Sequence, residues 1–330
     1  MADKPNLFDY ATSELSQDAF ICWLAAWANP EYIATDIKLH QLAVKFLSEC
    51  FKKHQIDFPE SITNIKIEKQ KDNIDVLITL NDSYAILIED KTFSKQHSDQ
   101  LKRYLDKIQI SQKNLIPIPI YYKTGEQGSW EEVKGSGFQI FNRNDLIELF
   151  DKVQIDNPIF NDYLDKLLRL GDLFGSYKTE PKDKWCPEAW MGFYIELQNH
   201  LGGNWDFVSN PLGGFLGFWW NFKKDQESDI YLQLEENKLC FKIAVAEKSI
   251  GDRVKKTWRE KFISAGKKLG VKIEKPDRLG SGLTITTAVL KDYRVFDENG
   301  LNIRKTISLL KLAEEVVTEA MKKYPSSDLS

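Results

Sequence analysis

Asp75 and the triplet Glu89-Asp90-Lys91 are the residues whose types and spacing could do chemistry. They bound two short apolar runs, Val76 to Leu80 and Tyr84 to Ile88, which are separated by Asn81-Asp82-Ser83. Turn-forming residues between apolar runs predict a hairpin. A three-residue loop pairs Leu80 with Tyr84 and sets Asp75 opposite Glu89; a two-residue loop sets Asp75 opposite Asp90 instead. Side chains alternate along a strand, so Glu89 and Lys91 share one face and Asp90 takes the other, where a structural role is expected. The three-residue loop would gather two carboxylates and an ammonium at the open end of an apolar hairpin. Converging oxygens suit a hard cation such as Mg²⁺, which keeps several waters and takes one or two carboxylates. Such an ion polarises a phosphoryl oxygen and activates a water, and a neighbouring lysine can stabilise the developing charge. Taken alone, the same triplet also suits solvated residues where a strand leaves its sheet.

The elements around these residues follow from apolar spacing. Phe20, Trp23, Leu24 and Trp27 predict a helix over 13–28 with Ser13 as N-cap, and Leu39 to Cys50 predict a second after Thr35. Ile65 and Ile67 alternate with charge as in a strand. Leu101, Tyr104, Leu105 and Ile108 stripe a helix over 98–110. Ile116 to Tyr122 is a strand expected to be short or near an edge, because Pro117 and Pro119 interrupt it. Another strand at Phe138 to Phe141 and helices at 144–152 and 163–170 complete an α-α-β-β-β-α-β-β-α order. That order indicates a mixed sheet flanked by helices.

At this point the residues resemble a family. Asp75, the apolar strand ending in Glu89-x-Lys91, and Gln100 with Tyr104 on the next helix look like the PD-(D/E)XK nuclease superfamily. The opening helix, Glu14-Leu-Ser-Gln-Asp-Ala-Phe-Ile-Cys-Trp-Leu, is similar to bacterial members of largely unassigned function. The resemblance covers roughly residues 10–150 and implies a restriction-endonuclease-like α/β fold. It further implies that Asp75 and Glu89 bind Mg²⁺, with Mn²⁺ as substitute, and that Lys91 is the catalytic lysine. Glu14 would be an auxiliary metal-binding acid, and Gln100 would act in the site with Tyr104 one turn later. Ile74 stands where the family name has proline. DNA is the implied substrate ahead of RNA, and defence against foreign DNA is a fold-level analogy. Other readings stay open: Glu14 suits a first helical turn by charge alone, Gln100 an exposed first turn, and Tyr104 a core. His97, between Lys91 and Gln100, could touch phosphate or face solvent.

Gly171 to Pro187 reads as a linker, giving a nuclease-like domain at 1–178 and a recognition domain at 179–330. The second part reads as an α+β domain: four consecutive strands between Trp205 and Val245 in an antiparallel meander, then a helix over 252–269. Strands near 271–273 and 283–289 and a helix over 302–324 follow. The net charge of −4 divides unevenly: residues 1–180 hold 21 Lys and Arg against 28 Asp and Glu. The basic surplus of the second part concentrates in 252–278, with ten basic and four acidic residues. There Arg253, Lys256, Arg259 and Lys267 could face phosphates with Trp258 as a stacking surface, or form the solvated face of an amphipathic helix covering a sheet. Six of nine tryptophans follow residue 181, as core anchors or as a surface for a homodimer or protein partner.

Four scattered cysteines without CxxC spacing argue against zinc and disulfides and suit a cytoplasm. No apolar run is long enough for a membrane span, and no G-x4-G-K-[ST], GxGxxG or G-x-S-x-G occurs. The expected activity is metal-dependent phosphodiester hydrolysis. The rival is a binding module that uses a nuclease-like scaffold without cutting.

Overall fold

The computed structural model describes residues 5–96, 99–210, 213–278 and 282–322, so His97, Ser281 and Tyr324 lie outside the described residues. The chain divides into two compact units between Asp172 and Leu173. The first contains α1 (Glu14–Ala26), α2 (Ile37–Lys53), β1 (Ile65–Lys71), β2 (Ile74–Leu80) and β3 (Tyr84–Lys91). It continues through α3 (Gln100–Ser111), β4 (Ile116–Lys123), α4 (Glu131–Gly135), β5 (Gln139–Asn142) and α5 (Arg143–Phe150), and the boundary falls inside α6 (Pro158–Gly175). Its sheet runs β1-β2-β3-β4-β5, antiparallel from β1 to β3 and parallel from β3 to β5. This is the mixed, helix-flanked sheet that the element order predicts.

The β2–β3 hairpin carries the three-residue loop. Leu80 pairs with Tyr84 and Val76 with Ile88, while Asn81 and Asp82 take left-handed φ values of 52° and 47°. Polar Asn and Asp tolerate that region better than most residues. Val76, Ile78, Ile86 and Ile88 face one core with Phe20, Leu24, Phe46 and Leu47 from α1 and α2. Leu77, Ala85 and Leu87 face a smaller cluster with Ile108 of α3. Both faces are therefore covered, and the hairpin is a rigid support for the residues at its open end.

β4 is not short, with eight residues, but it lies near an edge as Pro117 and Pro119 suggest. The edge strand β5 pairs only with Ile120 to Lys123, so the prolines lie where β4 has no partner on that side. The Pro119 carbonyl bonds the His54 ring instead of a strand. Just beyond β4, Gly125 packs on the turn that follows β3. A Cβ there would stand 2.1 Å from the Thr92 carbonyl oxygen, so only glycine fits.

The stretch 171–187, expected as a linker, begins as helix. α6 carries a buried stripe of Phe160, Tyr163, Leu167, Leu170 and Phe174 that passes straight through Gly171. A glycine inside a helix costs about 1 kcal/mol, less than that stripe gains by burial.

The second unit contains α7 (Pro187–Leu201), β6 (Asn204–Val208), β7 (Phe215–Lys224), β8 (Asp229–Glu235) and β9 (Lys238–Ala244). Then come α8 (Lys248–Leu269), β10 (Thr284–Lys291), the two-residue strands β11 (Phe296–Asp297) and β12 (Gly300–Leu301), and α9 (Ile303–Met321). Its antiparallel sheet runs β10-β9-β8-β7-β6. Leu216, Phe218, Trp220, Ile230, Leu232, Phe241 and Ile243 form one core with apolar residues of α7, α8 and α9. Two details depart from the sequence reading. Pro187 starts a helix at N1 rather than closing a linker, and residues 271–273 form no strand, leaving a single bridge from Glu274 to Val289.

Candidate active site

The hairpin register sets the site. Asp75 precedes Val76 on β2 and Glu89 follows its partner Ile88 on β3, so their carboxyl groups meet at one end of the sheet. Asp75 Oδ2 accepts the Asp90 backbone N–H at 2.9 Å. The Lys91 ammonium stands 2.6 Å from Glu89 Oε1, 3.5 Å from Asp75 Oδ2 and 4.0 Å from Glu14 Oε2. Glu14 reaches this point from the first turn of α1, and its Oε1 accepts Thr92 N at 2.9 Å and Ser94 Oγ at 2.7 Å. Ser13 is the N-cap residue as expected, but its hydroxyl bonds Ser16 rather than a backbone N–H.

Gln100 opens α3, and its Nε2 donates to Glu89 Oε1 at 2.8 Å and to Tyr104 Oη at 2.9 Å. All five expected site residues, Glu14, Asp75, Glu89, Lys91 and Gln100, are thus in one constellation. Tyr104 joins through Gln100 while its ring packs against the α3 core.

The electrostatics follow from burial. Glu89 is 1% exposed, and burial with the nearby Asp75 charge pushes its carboxyl up to about 7 despite Lys91. Burial also disfavours the Lys91 ammonium, but Glu89, Asp75 and Glu14 outweigh it and hold Lys91 above the ordinary lysine value.

Asp90 points to the opposite face, as alternation requires. It is fully buried and accepts a hydrogen bond from Gln17 Nε2. Gln17 Oε1 in turn accepts the Thr124 and Tyr163 hydroxyls, each at 3.1 Å, and Tyr163 shares a 2.9 Å bond with Tyr122. Burial lifts Asp90 well above the carboxylate range and lifts Asp18, beside it, to about 6.

Sequence reading missed Gln17, Asp18 and Lys123. Lys123 faces the site side of β4, in register with Lys91, and is fully buried. Its Nζ donates to the Ser94 carbonyl at 2.6 Å, and burial depresses its pKa to about 8. A lysine closing the hydrophobic strand Ile116 to Tyr122 was the available signal, since a lysine is rarely buried without a partner.

Residues 5–161 match the family model of the PD-(D/E)XK nuclease superfamily. Over that stretch, just under half of the chain, the protein is similar to PD-(D/E)XK nuclease-superfamily domains. Comparison with curated proteins and with solved structures gives no match. No group of three His, Cys, Asp or Glu side chains among the described residues is arranged to hold a metal ion. The donor chemistry nevertheless fits a hard divalent cation that takes two carboxylates and completes its shell with water. Asp75 and Glu89 supply those carboxylates around a point now neutralised by an ammonium. Glu89 Oε2 is buried and meets no donor among the described residues.

In the second unit the four expected phosphate-facing residues all lie on α8. Arg253 is held by Glu227 through two bonds of 3.1 and 2.5 Å, Lys256 and Lys267 are exposed, and Arg259 is half-buried. Trp258 offers no stacking surface: with Val254, Phe262 and Ala265 it faces the core, and it is 2% exposed. Helical spacing put it on the buried stripe rather than the basic one. Among the described residues no helix is long and apolar enough to cross a membrane.

Proposed function

We propose that the first domain, residues 1–178, hydrolyses phosphodiester bonds in DNA, in preference to RNA. The observation that carries this reading is the convergence of Glu14, Asp75 and Glu89 on the Lys91 ammonium, within the stretch that matches the PD-(D/E)XK nuclease-superfamily model. Asp75 and Glu89, with Glu14 as auxiliary, would hold Mg²⁺, with Mn²⁺ as substitute. When bound, the ion supplies Lewis-acid polarisation of the phosphoryl group and lowers the pKa of water. Lys91 sits where an ammonium would stabilise charge developing on phosphoryl oxygens. Gln100 holds the Glu89 carboxyl in place, and Thr92 and Ser94 fix Glu14. Residues 179–330 would select substrate or partner, with Arg253, Lys256, Arg259 and Lys267 contributing a phosphate-facing strip and the aromatic-rich unit serving as a homodimer or partner surface.

A second reading, a non-cleaving nucleic-acid- or protein-binding module, draws on one observation: Lys91 itself fills the space between the carboxylates. The two readings separate in a cleavage assay. Plasmid, linear DNA and RNA are incubated with Mg²⁺ or Mn²⁺, with EDTA and the Asp75→Asn variant as controls. Cleavage that needs the ion and Asp75 supports the nuclease; binding without cleavage under every condition supports the module.

A further inference from the structure

Gln70 lies within β1 at a left-handed φ of 53°, a costly backbone for a residue with a Cβ. The neighbouring pairs Lys69–Val76 and Lys71–Ile74 keep regular register, so Gln70 sits across from Asp75. Consecutive strand residues ordinarily point to opposite faces. Here both reach α1: Lys69 Nζ donates to the Leu15 carbonyl at 2.7 Å, and Gln70 Nε2 donates to Asp18 Oδ2 at 3.0 Å. The same Gln70 nitrogen donates to Asp75 Oδ1 at 3.1 Å. One exposed amide therefore ties the helix that carries Glu14 to the strand that carries Asp75, and the left-handed twist allows it to reach both.

We propose that Gln70 is a positioning residue for the metal site. It holds Asp75 Oδ1, which leaves Oδ2 turned toward Lys91 and Glu89, and it locks α1 at the distance that presents Glu14. The inference rests on the metal-site reading proposed above.

The test uses the full chain and Mn²⁺ alone, with affinity read by calorimetry and the thermal midpoint read in EDTA. Gln70→Gly suits the left-handed backbone but has no amide, so the midpoint should hold while Mn²⁺ affinity falls about ten-fold, the scale of one charge-assisted hydrogen bond. Gln70→Asn tolerates the backbone but is too short to span both carboxylates, and should lose affinity similarly. Asn73→Gly, at φ 70° in the same hairpin, should change neither quantity. Wild-type binding that Asp75→Asn weakens and Gln70→Gly leaves unchanged overturns the inference alone. A wild-type chain that takes up no Mn²⁺ overturns the metal-site reading and the inference with it.

Discussion

Replacing Lys91 by methionine separates the charge of the site from its packing. The thioether fills nearly the same space as the lysine stem but lacks the ammonium that stands 2.6 Å from the buried Glu89 carboxyl. In the wild type, Glu89 titrates near 7 when folded, against 4.5 for an ordinary glutamate. The folded chain thus keeps a proton that the unfolded chain releases. The Glu89 contribution to stability is full below about pH 4.5 and is lost as pH rises through about 7. At about 1.4 kcal/mol per pH unit that decline amounts to about 3 kcal/mol. Without Lys91 only the Gln100 amide still offsets burial and the Asp75 charge, so the folded pKa of Glu89 rises further and the decline continues toward about pH 8. At about pH 5 Glu89 is protonated in both proteins, and the substitution should cost on the order of 1 kcal/mol. At about pH 8 the extra unit of decline adds about 1.4 kcal/mol, so the difference should reach about 2–3 kcal/mol. Urea unfolding across this range measures it. A wild-type–variant difference that stays constant with pH would refute the assignment of Glu89 as a buried, Lys91-dependent charge.

Glu89 must release its proton before it can bind a cation, so Mg²⁺ affinity should fall by up to about ten-fold per unit below about pH 7 and flatten above it. Calorimetric titration that finds equal affinities at about pH 6 and pH 8 contradicts this. Gly125→Ala should cost about 1–3 kcal/mol in urea unfolding, because its Cβ would press on the Thr92 carbonyl; a neutral substitution would mean that the two turns do not touch. Replacing Arg253, Lys256, Arg259 and Lys267 together by alanine should weaken DNA binding and flatten its salt dependence. An unchanged salt slope removes α8 from the phosphate footprint.

Much of the site was legible because strand geometry is periodic. Apolar runs of fixed length around Asn81-Asp82-Ser83 left only two registers, and the three-residue loop brings Asp75 to Glu89. Alternation then put Asp90 on the far face. Gln17, Asp18 and Gln70 were not legible, because their partners are 5 to 146 residues away and carry no pattern. Helix α7 was hidden by Pro187, which punctuates a loop and a helix start alike. Trp258 was misread because one helix carries both a basic and an apolar stripe, and only packing shows which stripe holds a given aromatic.

Cleavage of linear and plasmid DNA by wild type and Lys91→Ala, side by side in Mg²⁺ and at equal folded concentration, bears most directly on the function. The wild type should cut, and loss of the ammonium amid Glu14, Asp75 and Glu89 should slow cutting at least about a hundred-fold, the usual weight of a group that stabilises transition-state charge. A Lys91→Ala variant that cuts as fast as wild type would show that the chemistry happens elsewhere.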